Sequence, residues 1–178
     1  MSVHAGSSEL ELGLENRTLA AHHEAGHAVV AVLLGMPVDV VTIGADGSGS
    51  RCRIRPRGRN LRQILAYAAT HLGGGLAEER LMAPLGMRWE GPSILPGGFD
   101  DEAHFRAWIR RIRMLHGADQ SRSREDRIFR GMVRRVRRLL ARDETWRAVR
   151  AVAEQLLRKG ELGGAEVRAI VALPPSAG

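Results

Sequence analysis

The most constraining feature of this sequence is an apolar stretch from Asn16 to Gly35, NRTLAAHHEAGHAVVAVLLG. It is rich in Ala, Leu and Val, offers helix N-caps at Asn16 or Thr18, and ends on Gly35 with Pro37 shortly after it. These signals predict an α-helix. A helix this apolar has to be buried, so we expect a core to be built over it.

The rest of the chain predicts a mainly α fold of the α+β class, with a small antiparallel β-hairpin or sheet. Val38 to Ile43 is β-branched, and RCRIRP from Arg51 to Pro56 alternates after a GADGSGS turn, which is typical of a two-stranded hairpin. Further helices are predicted over 60–81, 100–115, 123–141, 144–159 and 164–173, and a Pro- and Gly-rich loop over 83–99. Gly73, Gly74 and Gly75 are unfavourable within a helix, and close backbone packing against a neighbouring helix would explain them.

At 178 residues the chain has the size of one domain. We expect a flexible lead-in or capping element over 1–15, a single domain over 16–173 and a tail over 174–178. Cys52 is the sole cysteine, which excludes an internal disulfide and a multi-cysteine metal site. The sequence has no signal-peptide pattern, no apolar run of transmembrane length and no phosphate-binding loop. It therefore predicts a cytoplasmic protein without a membrane segment and without ATP hydrolysis by that route.

The chain is basic, with 27 Lys and Arg against 20 Asp and Glu, and Lys159 is its only lysine. An arginine excess of this kind is weak support for nucleic acid as a partner, and the scattered aromatics provide no base-stacking platform. The segment RGMVRRVRRLLAR is expected to keep its apolar residues on one face of a helix. The residues expected on its solvent face are Arg130, Arg134, Arg135, Arg137 and Arg138. A face that meets an acidic partner, a neighbouring subunit or nucleic acid is the alternative.

His23, Glu24 and His27 form an HExxH arrangement within the first predicted helix. At roughly 3.6 residues per turn, two histidines four residues apart lie about 40° apart on one face, so their imidazole nitrogens can converge on one metal ion. Glu24 cannot easily join the same ligand shell, but it can reach a water at the open position of the metal and take its proton. The pattern predicts metal-assisted hydrolysis. The alternative is a helix whose histidines are merely hydrogen-bonded.

Several segments resemble the peptidase domain of FtsH-type ATP-dependent zinc metalloproteases. AAHHEAGHAVVAVLLGMPVDVVTI is similar to the start of that domain, where an HEAGH helix is followed by a Pro and a strand. HLGGGLAEERL, from His71 to Leu81, is similar to the family's Gly- and Ala-rich helix that ends in paired glutamates. PGGFDDEAHFRAWI occupies the place of the stretch that leads into an Asp ligand, and AEQLLRKGELGGAEVRAIV is similar to the terminal pair of helices. The resemblance covers about residues 16–172 in the same order.

The resemblance implies that an Asp after the long loop is the third zinc ligand, and Asp100 and Asp101 are the candidates. Counted from Asp101, four bulky apolar residues follow at helical spacing and form one buried stripe with it. They are Phe105, Trp108, Ile109 and Ile112. This phase favours Asp101 and leaves Asp100 as a helix cap or a supporting hydrogen-bond acceptor. His22 and His104 are spare candidate ligands, although a hydrogen-bonded or exposed histidine is the simpler interpretation of each.

A metal-bound imidazole usually needs an acceptor for its other ring nitrogen, and Glu78 or Glu79 could provide one. Two solvated glutamates at a helix end are the alternative. The resemblance implies a zinc-dependent endopeptidase in which His23, His27 and an Asp bind Zn²⁺ and Glu24 is the general base. Two imidazoles and one carboxylate also suit iron or cobalt, so the native metal stays open.

The family's nucleotide-binding module and membrane anchors have no counterpart in this sequence, so the resemblance implies a stand-alone peptidase domain. We expect it to hydrolyse flexible or unfolded polypeptides, with a homo-oligomer and a separate ATPase as candidate partners. An extended substrate could pair with an exposed strand edge in Val38 to Ile43 or in Arg51 to Ile54. The alternative function is an inactive metal-binding module that binds an acidic or nucleic-acid partner through its Arg-rich helices.

Overall fold

A computed structural model describes residues 5–56, 60–86, 99–115 and 121–172, which form seven α-helices and one three-stranded antiparallel sheet. The helices are α1 (Ala5–Leu33), α2 (Leu61–Thr70), α3 (Gly73–Met82), α4 (Phe99–Leu115), α5 (Arg122–Leu140), α6 (Asp143–Lys159) and α7 (Gly164–Ala172). The strands are β1 (Val38–Thr42), β2 (Arg51–Ile54) and β3 (Glu161–Gly163), and a short 3-10 helix spans Ala83–Leu85. The predicted mainly α fold with a small antiparallel sheet is confirmed.

Helix α1 lies at the centre of the fold, as its apolar composition predicted. Its buried apolar side chains are small or β-branched, which lets neighbouring helices approach closely. They are Ala21, Ala25, Ala28, Val29, Val30 and Ala31. The helix begins at Ala5 rather than at the predicted Asn16, so residues 5–15 belong to it. The Leu and Glu residues of that stretch favour a helix, and no proline interrupts it, so the polar residues at Asn16 and Thr18 lie within the helix instead of capping it.

The predicted helix over 60–81 is two helices, α2 and α3, with a break at His71 and Leu72. The break comes immediately before the three glycines, where the helix is intrinsically weakest. It lets α3 cross α1 with backbone against backbone: a Cβ atom at Gly73 would lie 2.6 Å from the carbonyl oxygen of Gly26. Close packing against a neighbouring helix, the predicted reason for the glycines, is confirmed.

Because this crossing has no room for a methyl group, Gly26→Ala is expected to destabilise the protein by about 1–3 kcal/mol. Its Cβ would meet the backbone of Gly73 and the side chain of Ala77, neither of which can move aside without shifting α3. Gly131→Ala is the matched control, because a Cβ there meets nothing within 4 Å and sits inside helix α5. It should stabilise the protein by roughly 0.5–1 kcal/mol. Urea unfolding of both variants measures the difference; equal effects would contradict the close crossing.

The sheet has the order β2-β1-β3, so the predicted hairpin of β1 and β2 is confirmed and extended by a third strand. The sequence did not predict β3, because three residues that include Gly163 provide too little pattern for a strand. Its consequence is that β1 is central and paired on both sides. Of the two strands expected to offer an exposed edge, only β2 does so within the part of the chain that the structure describes.

Helix α4 buries the face that its spacing predicted, with Phe105, Ile109 and Ile112 in the core and Trp108 partly buried. Helix α5 packs beside it, and the five arginines predicted on its solvent face are exposed. Of the residues predicted as a loop over 83–99, Ala83–Leu85 form the 3-10 helix and Phe99 belongs to α4. Residues 87–98 of that loop and the predicted tail lie outside the described residues. No described helix combines the length and the apolar character needed to cross a membrane.

Candidate metal centre

Three acceptor atoms from two helices converge at the centre of the fold. His23 and His27 project from α1 with their Nε2 atoms 2.9 Å apart. Oδ2 of Asp101, in the first turn of α4, lies 3.1 Å from the Nε2 of His23 and 3.0 Å from that of His27. Ligands of a tetrahedral zinc at about 2.0–2.1 Å stand about 3.3 Å from one another, so an opening of a few tenths of an ångström would admit the ion. These three residues form a group that could hold a metal ion.

The other ring nitrogen of each histidine lies close to an oxygen acceptor, and for His27 this contact is shorter than the 3.3 Å between its Nδ1 and the backbone nitrogen of Gly74. Nδ1 of His27 lies 2.7 Å from the carbonyl oxygen of Thr70, one of the last residues of α2, whose carbonyls have no partner further along the helix. Nδ1 of His23 lies 2.9 Å from Oε1 of Glu78. Since both partners can accept a hydrogen bond, a proton belongs on Nδ1 of each ring, and Nε2 is the nitrogen that can give up its proton, now directed at Asp101, to bind a cation. Three acceptors turned toward one point fit a cation, and this donor set suits zinc.

Gly74 forms the floor beneath the two imidazoles. A Cβ atom at this position would lie 2.5 Å from the Nε2 atoms of both His23 and His27. Any side chain there would push the rings apart, so the convergence of the two histidines depends on a glycine in α3. From the sequence, Gly74 was expected only to allow close helix packing. Its position beneath the two histidines is visible only in the structure.

The electrostatics of the group favour a bound positive charge. Burial alone would lower the pKa of His23, but hydrogen bonds to Asp101 and Glu78 outweigh it and raise the pKa to about 10. Burial would raise the pKa of Asp101, yet the neighbouring His27 and His23 hold it well below the usual range of a carboxyl. The pKa of His27 is raised too, because the negative charge of Asp101 outweighs burial. A divalent cation would satisfy the same attraction in place of protons.

Glu24 is buried beside this group and is not used to build it. Its exposed fraction is 7%, and burial raises the pKa of its carboxyl above the ordinary value. It interacts electrostatically with His23, His27 and Asp101. None of the described residues donates a hydrogen bond to its carboxylate, in contrast to Glu78, which is bonded to His23. Glu24 is thus a carboxylate at the centre that is free to bond a water molecule.

The structure places Asp101, and not Asp100, with the histidines. The helix phase that favoured Asp101 corresponds to the real packing, since the same side of α4 carries the buried Phe105 and Ile109. Asp100 is exposed, and its backbone carbonyl accepts a hydrogen bond from Nδ1 of His104. Among the described residues, its side chain makes no hydrogen bond with His23, His27 or Asp101, so its expected role as a helix cap or supporting acceptor stays a prediction.

Asp101→Asn is expected to reduce zinc binding strongly, because it removes the one negative charge among the three ligands. Asp100→Asn makes the same chemical change at the adjacent, exposed position and should leave binding unchanged. Zinc content after dialysis, with titration against a chromophoric chelator, checks both variants. Loss of zinc in Asp100→Asn alone would contradict the assignment of the third ligand.

Glu78 and Glu79, the pair of glutamates near the end of α3, contact different partners. Glu78 is bonded to His23 as described, and so one of the two predicted supporting residues does contact a ligand. Glu79 points elsewhere and forms a two-pronged ion pair with Arg137 of α5 at 2.8 and 3.0 Å. Consecutive helix residues point about 100° apart, which is why only one of the two can face α1.

We expect Glu78→Gln to weaken zinc binding by about 10-fold or more, because a neutral acceptor makes His23 a poorer ligand. Glu79→Gln, the matched control on the next residue, should leave zinc affinity at the wild-type value. It loses only a half-exposed ion pair, worth at most about 1 kcal/mol of stability. Chelator competition measures the affinities; equal losses in both variants would show that Glu78 has no special role.

The two spare candidate ligands lie outside the group of three. His22 is buried against Trp146, its Nδ1 is 2.8 Å from the carbonyl oxygen of Thr18, and burial lowers its pKa. His104 is exposed. Sequence reasoning missed His71, whose Nδ1 lies 3.9 Å from Oδ1 of Asp101. Nothing in the spacing of His71 relative to the HExxH segment indicated it, because the two are brought together by the path of the chain alone.

No protein family model matches this sequence, and no protein of curated function is significantly similar to it. The geometry of the centre and the motifs that form it are therefore the evidence for a function.

Proposed function

We propose that this protein is a zinc-dependent endopeptidase that hydrolyses flexible or unfolded polypeptides. The observation that carries the proposal is the buried, unbonded carboxylate of Glu24 beside three convergent acceptors from His23, His27 and Asp101. A purely structural histidine cluster would have no use for a fourth, uncommitted acidic group in its core. The resemblance of the HEAGH, LAEE and C-terminal segments to the FtsH-type peptidase domain supports the same reaction.

The residues of the chain divide the work of hydrolysis. Bound by the three ligands, a zinc ion would supply Lewis-acid chemistry, lowering the pKa of a water molecule toward about 7 and polarising the scissile carbonyl. Glu24 accepts the proton of the attacking water and passes it to the leaving amine. Glu78 and the Thr70 carbonyl keep the proton of each histidine ring on Nδ1. Nε2 therefore already faces the ion, and neither ring has to turn over to bind it.

Strand β2 is the proposed place for substrate. It is an edge strand of the sheet and packs against α1, the helix that carries His23, Glu24 and His27. An extended polypeptide could add to this edge through backbone hydrogen bonds, which gives affinity with little sequence preference. Only a flexible or unfolded segment can take this form. The alternative edge expected in Val38 to Ile43 is excluded, because β1 is paired on both sides.

Glu24→Gln is expected to lower the hydrolysis of an unfolded casein-type substrate at least about 100-fold, since the amide cannot accept the proton. Zinc content should stay at the wild-type value, because Glu24 is not among the ligands. Glu144→Gln is the matched control, an identical change at an exposed glutamate of α6, and should retain full activity. Metal analysis and the rate of peptide release are measured on the same preparations.

Two results would overturn the proposal. A folded wild-type protein that binds no divalent metal would exclude the metal centre itself. A zinc-loaded protein that hydrolyses no unfolded substrate, with or without Glu24, would favour the alternative of an inactive metal-binding interaction module. Hydrolysis that survives in Glu24→Gln would assign the general base elsewhere.

A further inference from the structure

His71 is the residue next to the candidate metal centre that the proposed reaction does not use. It lies at the junction of α2 and α3, where the helix breaks, and its side chain is 19% exposed. Its Nδ1 faces Oδ1 of Asp101 at 3.9 Å, while Oδ2 of the same carboxylate faces His23 and His27. The two oxygens of Asp101 thus have separate neighbours.

The ring of His71 is held in place from several sides. The His104 ring stacks on it, with centroids 5.5 Å apart and planes inclined by 15°. The Tyr67 ring meets it edge-on at 5.2 Å, and Tyr67 makes a similar contact with Trp108 of α4. These contacts join α2 to α4, the helix that carries Asp101, so the position of His71 and that of the carboxylate are fixed together.

The surroundings also decide which nitrogen of His71 carries the proton. Nε2 is buried and has no hydrogen-bond partner among the residues that the structure describes. A proton on Nε2 would leave a buried donor without an acceptor and would turn the Nδ1 lone pair toward a negative carboxylate. The tautomer protonated on Nδ1 avoids both, because Oδ1 of Asp101 is the acceptor that lies near that nitrogen. The 3.9 Å separation exceeds a direct hydrogen bond, and a small rotation of the carboxylate closes it.

We propose that His71 is a positioning residue that holds Oδ1 of Asp101, so that Oδ2 alone is presented to the ion bound by His23 and His27. The inference rests on the metal centre of the proposed function. One oxygen per ligand gives three protein donors and leaves the fourth position of a tetrahedral ion to water. A carboxylate free to offer both oxygens would occupy that position. His71 would therefore both tighten zinc binding and keep the site open.

The test compares variants that remove the Nδ1–H with one that retains a donor. His71→Phe keeps a ring between Tyr67 and His104 without any N–H, and His71→Ala removes the ring altogether. Both should weaken zinc binding by about 10- to 100-fold, the usual effect of losing a partner of a metal ligand. His71→Asn, whose amide N–H occupies the place of Nδ1, should recover most of the affinity. Glu144→Gln, a change at an exposed residue of α6, is the control and should keep the wild-type zinc affinity.

Zinc affinity is measured by chelator competition, and folding is checked by thermal unfolding of the metal-free proteins. Cobalt-loaded protein provides a second readout, since the visible absorption of Co²⁺ is intense when four-coordinate and weak at higher coordination. The visible absorption of the bound Co²⁺ should be weaker in His71→Phe than in the wild type and should return to the wild-type intensity in His71→Asn. The role of His71 would be refuted if His71→Phe or His71→Ala folds and keeps the wild-type zinc affinity. An unchanged cobalt spectrum in His71→Phe would refute it as well.

These outcomes are separate from those that test the peptidase. If the proposed hydrolysis is wrong, the zinc-loaded wild type will show no peptidase activity. The zinc affinities of the wild type and the His71 variants can still be compared. Failure of the His71 proposal appears as equal zinc affinities in wild type and variants, and it leaves the role of Glu24 untouched.

Discussion

The rest of the structure depends on the backbone contact between α1 and α3 at Gly26 and Gly73. Because no side chain separates the two helices there, the next glycine of α3, Gly74, lies directly beneath the imidazoles of α1. Four residues further on, and so on the same face of α3, Glu78 reaches Nδ1 of His23. One close crossing therefore sets both the space between the histidines and the hydrogen bond that orients one of them. A bulkier residue at the crossing would disturb stability and chemistry together.

The centre buries more polar atoms than a helical core usually tolerates, and it does so by giving each a distinct partner. The Thr70 carbonyl at the end of α2 and the Glu78 carboxylate take the two Nδ1 protons. Asp101 faces both Nε2 atoms. Among the described residues, the carboxylate of Glu24 accepts no hydrogen bond, and this is the basis of the proposed activity. Networks of this kind are most stable when every member is satisfied, so a buried carboxylate without a donor needs an explanation, and a bound water molecule provides one.

The arginine-rich surface is in part a scaffold for these helices. Arg106 of α4 contacts Glu102 of its own helix and Glu125 and Asp126 of α5, which ties the ligand-bearing helix to its neighbour. Arg80 of α3 donates to the carbonyl of Leu140 at the end of α5 and lies over the Trp146 ring. These pairs account for some of the charge in the C-terminal half through packing. An acidic partner for the exposed arginines of α5 stays a prediction.

The sequence by itself determined the parts of this protein that follow from helical periodicity: the central apolar helix, the convergence of His23 and His27, and the preference for Asp101 over Asp100. Each depends on residues close together in the chain, where local geometry decides which side chains share a face. It could not determine the break at His71, the strand β3, the different partners of Glu78 and Glu79, or the contact of His71 with Asp101. Those depend on which helices cross and at what distance. Only the tertiary structure decides that, because the crossing is set by packing among residues far apart in the chain.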